Sequence, residues 1–486
     1  MTSTIPARPA PEAAEQPGLR RTLTTPRIVF LVVAAAAPMS GVVGSVPLAY
    51  AVGNGAGVPA TFVLAGLILL CFSVGYAAMS RHVVGAGGFY TYIGKGLGRP
   101  LAVAGGLTAV LAYTAAVAGV AGAFGYFAEL VSAAHGLTAP WQVWTGGALA
   151  LTALMGYRQI DLSARLLAVL MVAEVAVLVV LAIAIGARNG ADTLPVAAFR
   201  PDIVFSPGLG VALMFALISY VGFEAAALYG EETRDPRRSV PVATYTSVVL
   251  ITVFFALMSW AAVGAVGADR VAERAGAELG DLFFHLSDDY LGTFATSVMQ
   301  VLLCTSLFGA LLGLHSAANR YLFILGRERV LPASLARVHP RHASPYRASV
   351  VLSVATAVVC ALFALAGAHP YTNLATTMLA LGTVGIVGLQ AAVAVAVLVF
   401  FRRHPDAHWW RTRLAPALAL VGLTGALYLL LDNFPLVTGT DSVWVNRIPW
   451  LMPVAALGGL GYAAWLKARA PDRYLAVATA QDAPDL

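Results

Sequence analysis

The sequence predicts an all-α integral membrane protein of twelve transmembrane helices, two five-helix sets in inverted repeat followed by two extra C-terminal helices. Three observations point there. Of 486 residues, 59% are hydrophobic and only 11% charged, with a mean hydropathy of +0.79, where soluble domains carry roughly 25% charged residues. So few charges cannot clothe a water-facing surface, which excludes soluble, disordered and nucleic-acid-binding classes. Twelve apolar runs separate the charge clusters, each near the roughly 20 residues a helix needs to cross the hydrocarbon core. Two of those runs, the first and the sixth, are interrupted at matching places.

The tail 1–27 holds Pro6, Pro9, Pro11, Pro17 and Pro26 and reads as disordered, without the cleavage site of a signal peptide. The runs follow at 28–55, 58–79, 101–132, 141–157 and 163–187, which with the connection to 207 form the first repeat. Runs 208–230, 241–266, 290–324, 348–367 and 373–401 form the second. Runs 414–431 and 448–466 are the two extra helices, and 467–486 is a second tail. Of the 30 Lys and Arg residues, all but Arg188, Arg200, Arg270, Arg274 and Arg447 fall on the side of the amino terminus. The positive-inside rule puts that side, and both termini, in the cytoplasm, so the chain is expected in a plasma (inner) membrane. The 267–289 connection on the far side, with six acidic residues, reads as a solvated loop. Cys71, Cys304 and Cys360 all lie in apolar runs and imply no disulfide framework.

The first interruption reads Pro38-Met39-Ser40-Gly41-Val42-Val43-Gly44-Ser45-Val46-Pro47. Two prolines bracketing two glycines should end one half-helix near Ser40 and begin another near Pro47. The sixth run contains Ser219-Tyr220-Val221-Gly222-Phe223-Glu224, a glycine beside that run's only carboxylate. Irregular backbone at mid-membrane depth is tolerated where it lines a cavity or is buried in protein. Interrupted segments at corresponding positions of two halves mark the binding site of a solute carrier. An odd five-helix repeat has to be inverted, which brings both breaks to the midplane. Free N–H groups at a half-helix start favour a carboxylate, and free carbonyls at a half-helix end favour an ammonium. Together they describe an amino acid zwitterion, and an amine without a carboxylate would use half of the site. The expected substrate contacts are Ser40, Gly41, Val42, Val43, Gly44, Ser45, Phe215, Ser219, Tyr220, Gly222 and Phe223. Tyr220 and Phe223 either gate the pocket or pack between helices.

Three ionisable residues lie within runs away from their ends. Glu174 sits in LMVAEVAVLVV with no charged neighbour. A charge at that depth costs roughly 2.5–3.5 kcal/mol on insertion scales, so it faces a partner or a cavity. It is either a proton-coupling residue or a neutral glutamate bonded between helices. His315 in the eighth run is likewise a relay or an interhelical hydrogen bond, and the two could pair. Glu224 is assigned to freed backbone N–H groups at the sixth-run break, a structural role. No His/Cys/Asp/Glu spacing suits a metal site or a nucleophile–base pair, and no polar ring suits a channel, so neither enzyme, cofactor nor pore is expected.

Gly222-Phe223-Glu224 with Gly230-Glu231-Glu232-Thr233-Arg234-Asp235-Pro236-Arg237-Arg238-Ser239-Val240-Pro241 resembles the sixth-span end and following loop of the amino acid–polyamine–organocation (APC) permeases. Asn319 to Pro332 (NRYLFILGRERVLP) is similar to that family's segment after span eight, and Gly85 to Tyr92 (GAGGFYTY) to its segment after span two. The resemblance covers most of 25–400. It implies the LeuT-like five-plus-five fold, alternating access by secondary transport of amino acids or related amines, and no cofactor. Some members carry a lysine at the position resembling Glu174, linked to proton coupling, which implies H⁺ as the coupling ion with Na⁺ still open. Where many members read Gly-Ser-Gly at the first break, this chain has Gly44-Ser45-Val46 with Gly41 upstream. The expected partners are a small-molecule substrate and the lipid bilayer, with no nucleic acid.

Overall fold

The computed structural model describes residues 24–83, 88–158, 164–224, 233–342, 344–404, 408–440 and 442–478. Among these, the chain is helical throughout, in a single bundle. The first run is split: α1 (Thr25–Ala35) and α2 (Pro38–Val52) are separate helices. There follow α3 (Val58–Ser80), the short α4 (Phe89–Leu97), α5 (Arg99–Ala134), α6 (Trp141–Arg158) and α7 (Ala164–Asn189). The sixth run begins as α8 (Leu209–Tyr220), and its expected remainder, 225–230, lies outside the described residues. Then come α9 (Pro236–Val266), α10 (Val271–Glu278), α11 (Leu282–Leu291), α12 (Thr293–Arg327), α13 (Tyr346–Leu365) and α14 (Thr376–Arg403). The chain ends with α15 (Ala415–Asp432), α16 (Leu451–Arg469) and α17 (Pro471–Leu475).

Nine helices among the described residues are long and apolar enough to cross a membrane, and the two shorter apolar helices are α2 and α8, each beside a break. The chain is therefore a multi-pass membrane protein. The core is built from small residues at close approach: α14 and α12 pack along α5, and α9 along α3. A Cβ on Gly119 or Gly122 of α5 would meet Leu379 or Leu374, and one on Gly382 the backbone of Ala112. These glycines are packing faces, as in other membrane helices. Exposed Val169, Val172, Val180 and Ile183 on α7, and Val350, Val354, Val358 and Leu362 on α13, form an apolar outer surface suited to lipid.

Two expectations need correction. The 267–289 segment is no solvated loop: α10 and α11 bury Val271, Ala275, Leu282 and Leu286 fully, and α10 packs against α2. Two of its six acidic residues pair with Arg274, Glu278 at 2.9 Å and Asp289 at 3.5 Å. Burial lifts the Asp281 carboxyl above its ordinary range, against the pull of nearby His285. The amino-terminal tail is shorter than expected, since helix begins at Thr25; residues 1–23 lie outside the described residues. In the carboxy-terminal segment Val477 and Ala478 are buried, and residues 479–486 lie outside the described residues.

Candidate functional site

The first break falls at Ala36–Ala37, upstream of the expected Ser40–Pro47 stretch. The cause is Pro38. Its ring disfavours helical geometry in the preceding residue and it suits the first helical position of the next segment. Ala37 is accordingly left-handed, with φ 45°, although it is not a glycine. Such a residue stores about 1–3 kcal/mol and is tolerated where the surroundings fix it. Gly41, Val42, Val43, Gly44 and Ser45, expected as irregular backbone, are instead helical, and Pro47 lies inside α2. A proline costs a helix interior one hydrogen bond and distorts its neighbours. One turn earlier the Tyr371 hydroxyl donates to the Gly44 carbonyl at 2.8 Å.

The free amides at the start of α2 are occupied by the protein itself. Ser40 N–H donates to the Ser306 hydroxyl of α12 at 3.3 Å, and the carboxyl of Glu174 on α7 lies beside the Ser306 hydroxyl and the Met39 backbone. A carboxylate thus sits at a half-helix N-terminus, where backbone donors and the helix dipole favour an anion. Glu174 reaches it because it shares the inward stripe of α7 with the buried Leu178, Leu181 and Ile185.

The second break lies where the sequence suggests. Helix α8 ends at Tyr220, Val221 is extended, and Gly222 takes φ 115°, a conformation that needs a glycine. Glu224 closes this break: one carboxylate oxygen accepts from Gly222 N–H at 3.0 Å and the other from the Tyr113 hydroxyl of α5 at 2.5 Å. Tyr76 of α3 donates to the Glu224 carbonyl at 3.2 Å, and Tyr321 of α12 stacks on Tyr113.

Between the two breaks lies a cavity of about 70 Å³. Of the residues expected to contact substrate, Ser40, Gly41, Gly44, Ser45, Phe215 and Ser219 line it. Val42 and Val43 do not; both are fully buried in the core. Gly222 lies off the cavity too. Tyr220 turns away, its hydroxyl donating to the Phe62 carbonyl and meeting Thr252 at 2.9 Å, and Phe223 packs edge-on against Phe72. His315 and Glu174 do not pair: the imidazole Nε2 meets the Ser353 hydroxyl of α13 at 3.0 Å.

Sequence reasoning missed Val120 and Ala123 of α5, Ala310 and Leu314 of α12, and Tyr371 and Thr376. Tyr371 stands in a π-helical turn, Pro370–Ala375, that opens into α14. Such turns recur at functional positions, and His369-Pro370 ahead of an apolar run was the one available signal. The lining residues include no charged side chain. Four hydroxyls there give their protons to the backbone: Ser40 to Ala37, Ser219 to Phe215, Thr376 to Thr372 and Tyr371 to Gly44. Their oxygens keep lone pairs for an incoming donor.

The amino acid permease family model matches residues 23–460. The chain is 25% identical to the branched-chain amino acid permease of Bacillus subtilis, covering 73% of this chain and 76% of that one. It is 24% identical to the methylthioribose transporter of the same organism, over 85% and 86% of the two chains. With the chloroplastic cationic amino acid transporter 7 of Arabidopsis thaliana it shares 26% identity, over 77% of this chain and 65% of the relative. Among the described residues, no group of three His, Cys, Asp or Glu side chains could hold a metal. The chain is a transporter rather than an enzyme, and it belongs to the amino acid permease family of the APC superfamily.

Proposed function

We propose that this protein carries a neutral amino acid into the cytoplasm across the plasma membrane by alternating access, coupled to protons through Glu174. The observation that carries the reading is the uncharged cavity enclosed by the two helix breaks. Hydroxyl oxygens suit the substrate ammonium. The apolar wall of Val120, Ala123, Phe215, Ile218, Leu307 and Ala310 suits a small aliphatic side chain and offers nothing to a cationic one.

The Met39 amide suits the substrate carboxylate once Glu174 releases it. An ionised Glu174 and a substrate carboxylate compete for the same half-helix N-terminus; a proton on Glu174 removes the competitor, so proton and substrate travel together. His315 serves as a tether between α12 and α13. Both termini face the cytoplasm, residues 28–207 and 208–401 form the inverted repeats, and twelve spans complete the architecture. The pairing of α3 with α9 and of α5 with α12 and α14 supports that arrangement.

A second reading, an amine carrier, draws on the acceptor-rich walls and the occupied amides. Competition in proteoliposomes between each amino acid and its decarboxylated amine separates the two, with currents recorded in sodium-free buffer. A current for aliphatic amino acids driven by a proton gradient is expected. No current from any proteinogenic amino acid overturns the main reading, and a strict sodium requirement overturns the proton.

A further inference from the structure

Beyond Ala470 the chain turns back onto the bundle. Helix α17 places Tyr474 beneath the Arg99 guanidinium, 5.8 Å from its ring centre, and Val477 is almost wholly buried. Ala478 is left-handed, with φ 54°. That turn aims its N–H at a pair of side chains from both halves of the molecule: it donates to the Glu328 carboxylate, at the end of α12, at 2.7 Å, and to the Tyr90 hydroxyl of α4 at 3.1 Å. Tyr90, itself buried, donates to the same carboxylate oxygen. The fit around the tail is close, since a Cβ on Gly94 of α4 would stand 2.4 Å from the Ala478 Cβ.

The connection after the second span and the end of the eighth thus meet directly through Tyr90 and Glu328 at the arginine-rich face, and a backbone amide from the carboxy-terminal segment joins both partners of that bond. Each element belongs to a different proposed repeat.

We propose that residues 471–478 form an intramolecular strap that holds α4 to the end of α12 and slows opening of the cytoplasmic side, with Glu328 and Tyr90 as its positioning residues. The strap rests on the alternating-access reading for its effect on rate, and on geometry alone for its docking.

Two measurements keep these apart. Ala478→Pro deletes the donor and cannot adopt a positive φ, and a chain ending at Ala470 removes the strap altogether. Hydrogen exchange on detergent-purified full chain and variants is expected to show faster exchange of the Phe89–Leu97 amides in both, whatever the substrate proves to be. Unchanged exchange in the truncated chain overturns the docking. In proteoliposomes, both variants are expected to raise kcat by at least about twofold with KM unchanged, as when a conformational step limits turnover. A kcat that stays the same or falls overturns the brake even where exchange has risen. If Ala478→Pro does not fold, the truncated chain decides alone.

Discussion

Glu174→Gln keeps the size of the side chain and removes its charge. In the proposed mechanism the carboxylate engages the neighbouring Met39 amide and Ser306 hydroxyl. Hydrogen bonds to a charged group contribute about 1.5–3 kcal/mol against about 0.5–1.5 for neutral ones, so two bonds lose roughly 2–3 kcal/mol. The lost interaction with the dipole of α2 adds about 0.3–2 kcal/mol. Against this stands the roughly 2.5–3.5 kcal/mol that a charge costs at mid-membrane depth, which glutamine avoids. The opposing terms nearly cancel, so the melting temperature is expected to move little. Transport should change in kind instead: glutamine offers no titrating competitor at the α2 amides, so uptake loses its dependence on external pH and no longer acidifies the liposome lumen. The assay is uptake in proteoliposomes carrying a pH-sensitive dye, from pH 5 to 8. A variant with wild-type pH dependence and proton flux refutes the coupling assignment.

Tyr113→Phe removes the hydroxyl donated to Glu224 while Gly222 N–H remains, and is expected to destabilise the protein by about 1.5–3 kcal/mol, seen as a lower melting temperature in scanning fluorimetry. Tyr76→Phe, which loses a neutral bond to a carbonyl, should cost only about 0.5–1.5 kcal/mol. Ala310→Leu intrudes into the cavity and is expected to abolish uptake of all but the smallest amino acids, with at most about 1–3 kcal/mol lost to overpacking. Unchanged KM across the series would remove Ala310 from the site.

How much of this was legible in the sequence depends on the scale of the feature. Membrane spans are written in composition, because lipid admits little else. The sixth-run break was legible because Gly222 is needed for its φ, and Glu224 was the only carboxylate nearby to close it. The first break was misplaced because glycine and proline have several uses. Pro38 ends a helix while Pro47 is absorbed in one, and Gly41 and Gly44 give α2 a slim face rather than an irregular backbone. A break carried by an alanine leaves no mark in a single sequence. Tyr220 and Phe223 were assigned to the cavity from proximity along the chain, yet the turn at Val221 directs them elsewhere. Tyr371 and Thr376 come from a distant segment, and only tertiary packing brings them in. Which face of α7 carries Glu174 was equally hidden, since that helix is apolar all round.

No main-chain hydrogen bond bridges Ala36 and Ala37 to the amides of Met39 and Ser40; those amides look sideways to α7 and α12, while Ala36 looks back to Val32. The eleven-residue rod Thr25–Ala35 thus joins α2 through the two-residue link Ala36–Ala37. Near its outer end, Thr25 is fastened to Ser239 by one hydroxyl pair at 2.7 Å. Swinging that rod away from the bundle would leave every bond at the start of α2 in place, so one wall can move while its neighbour stands still.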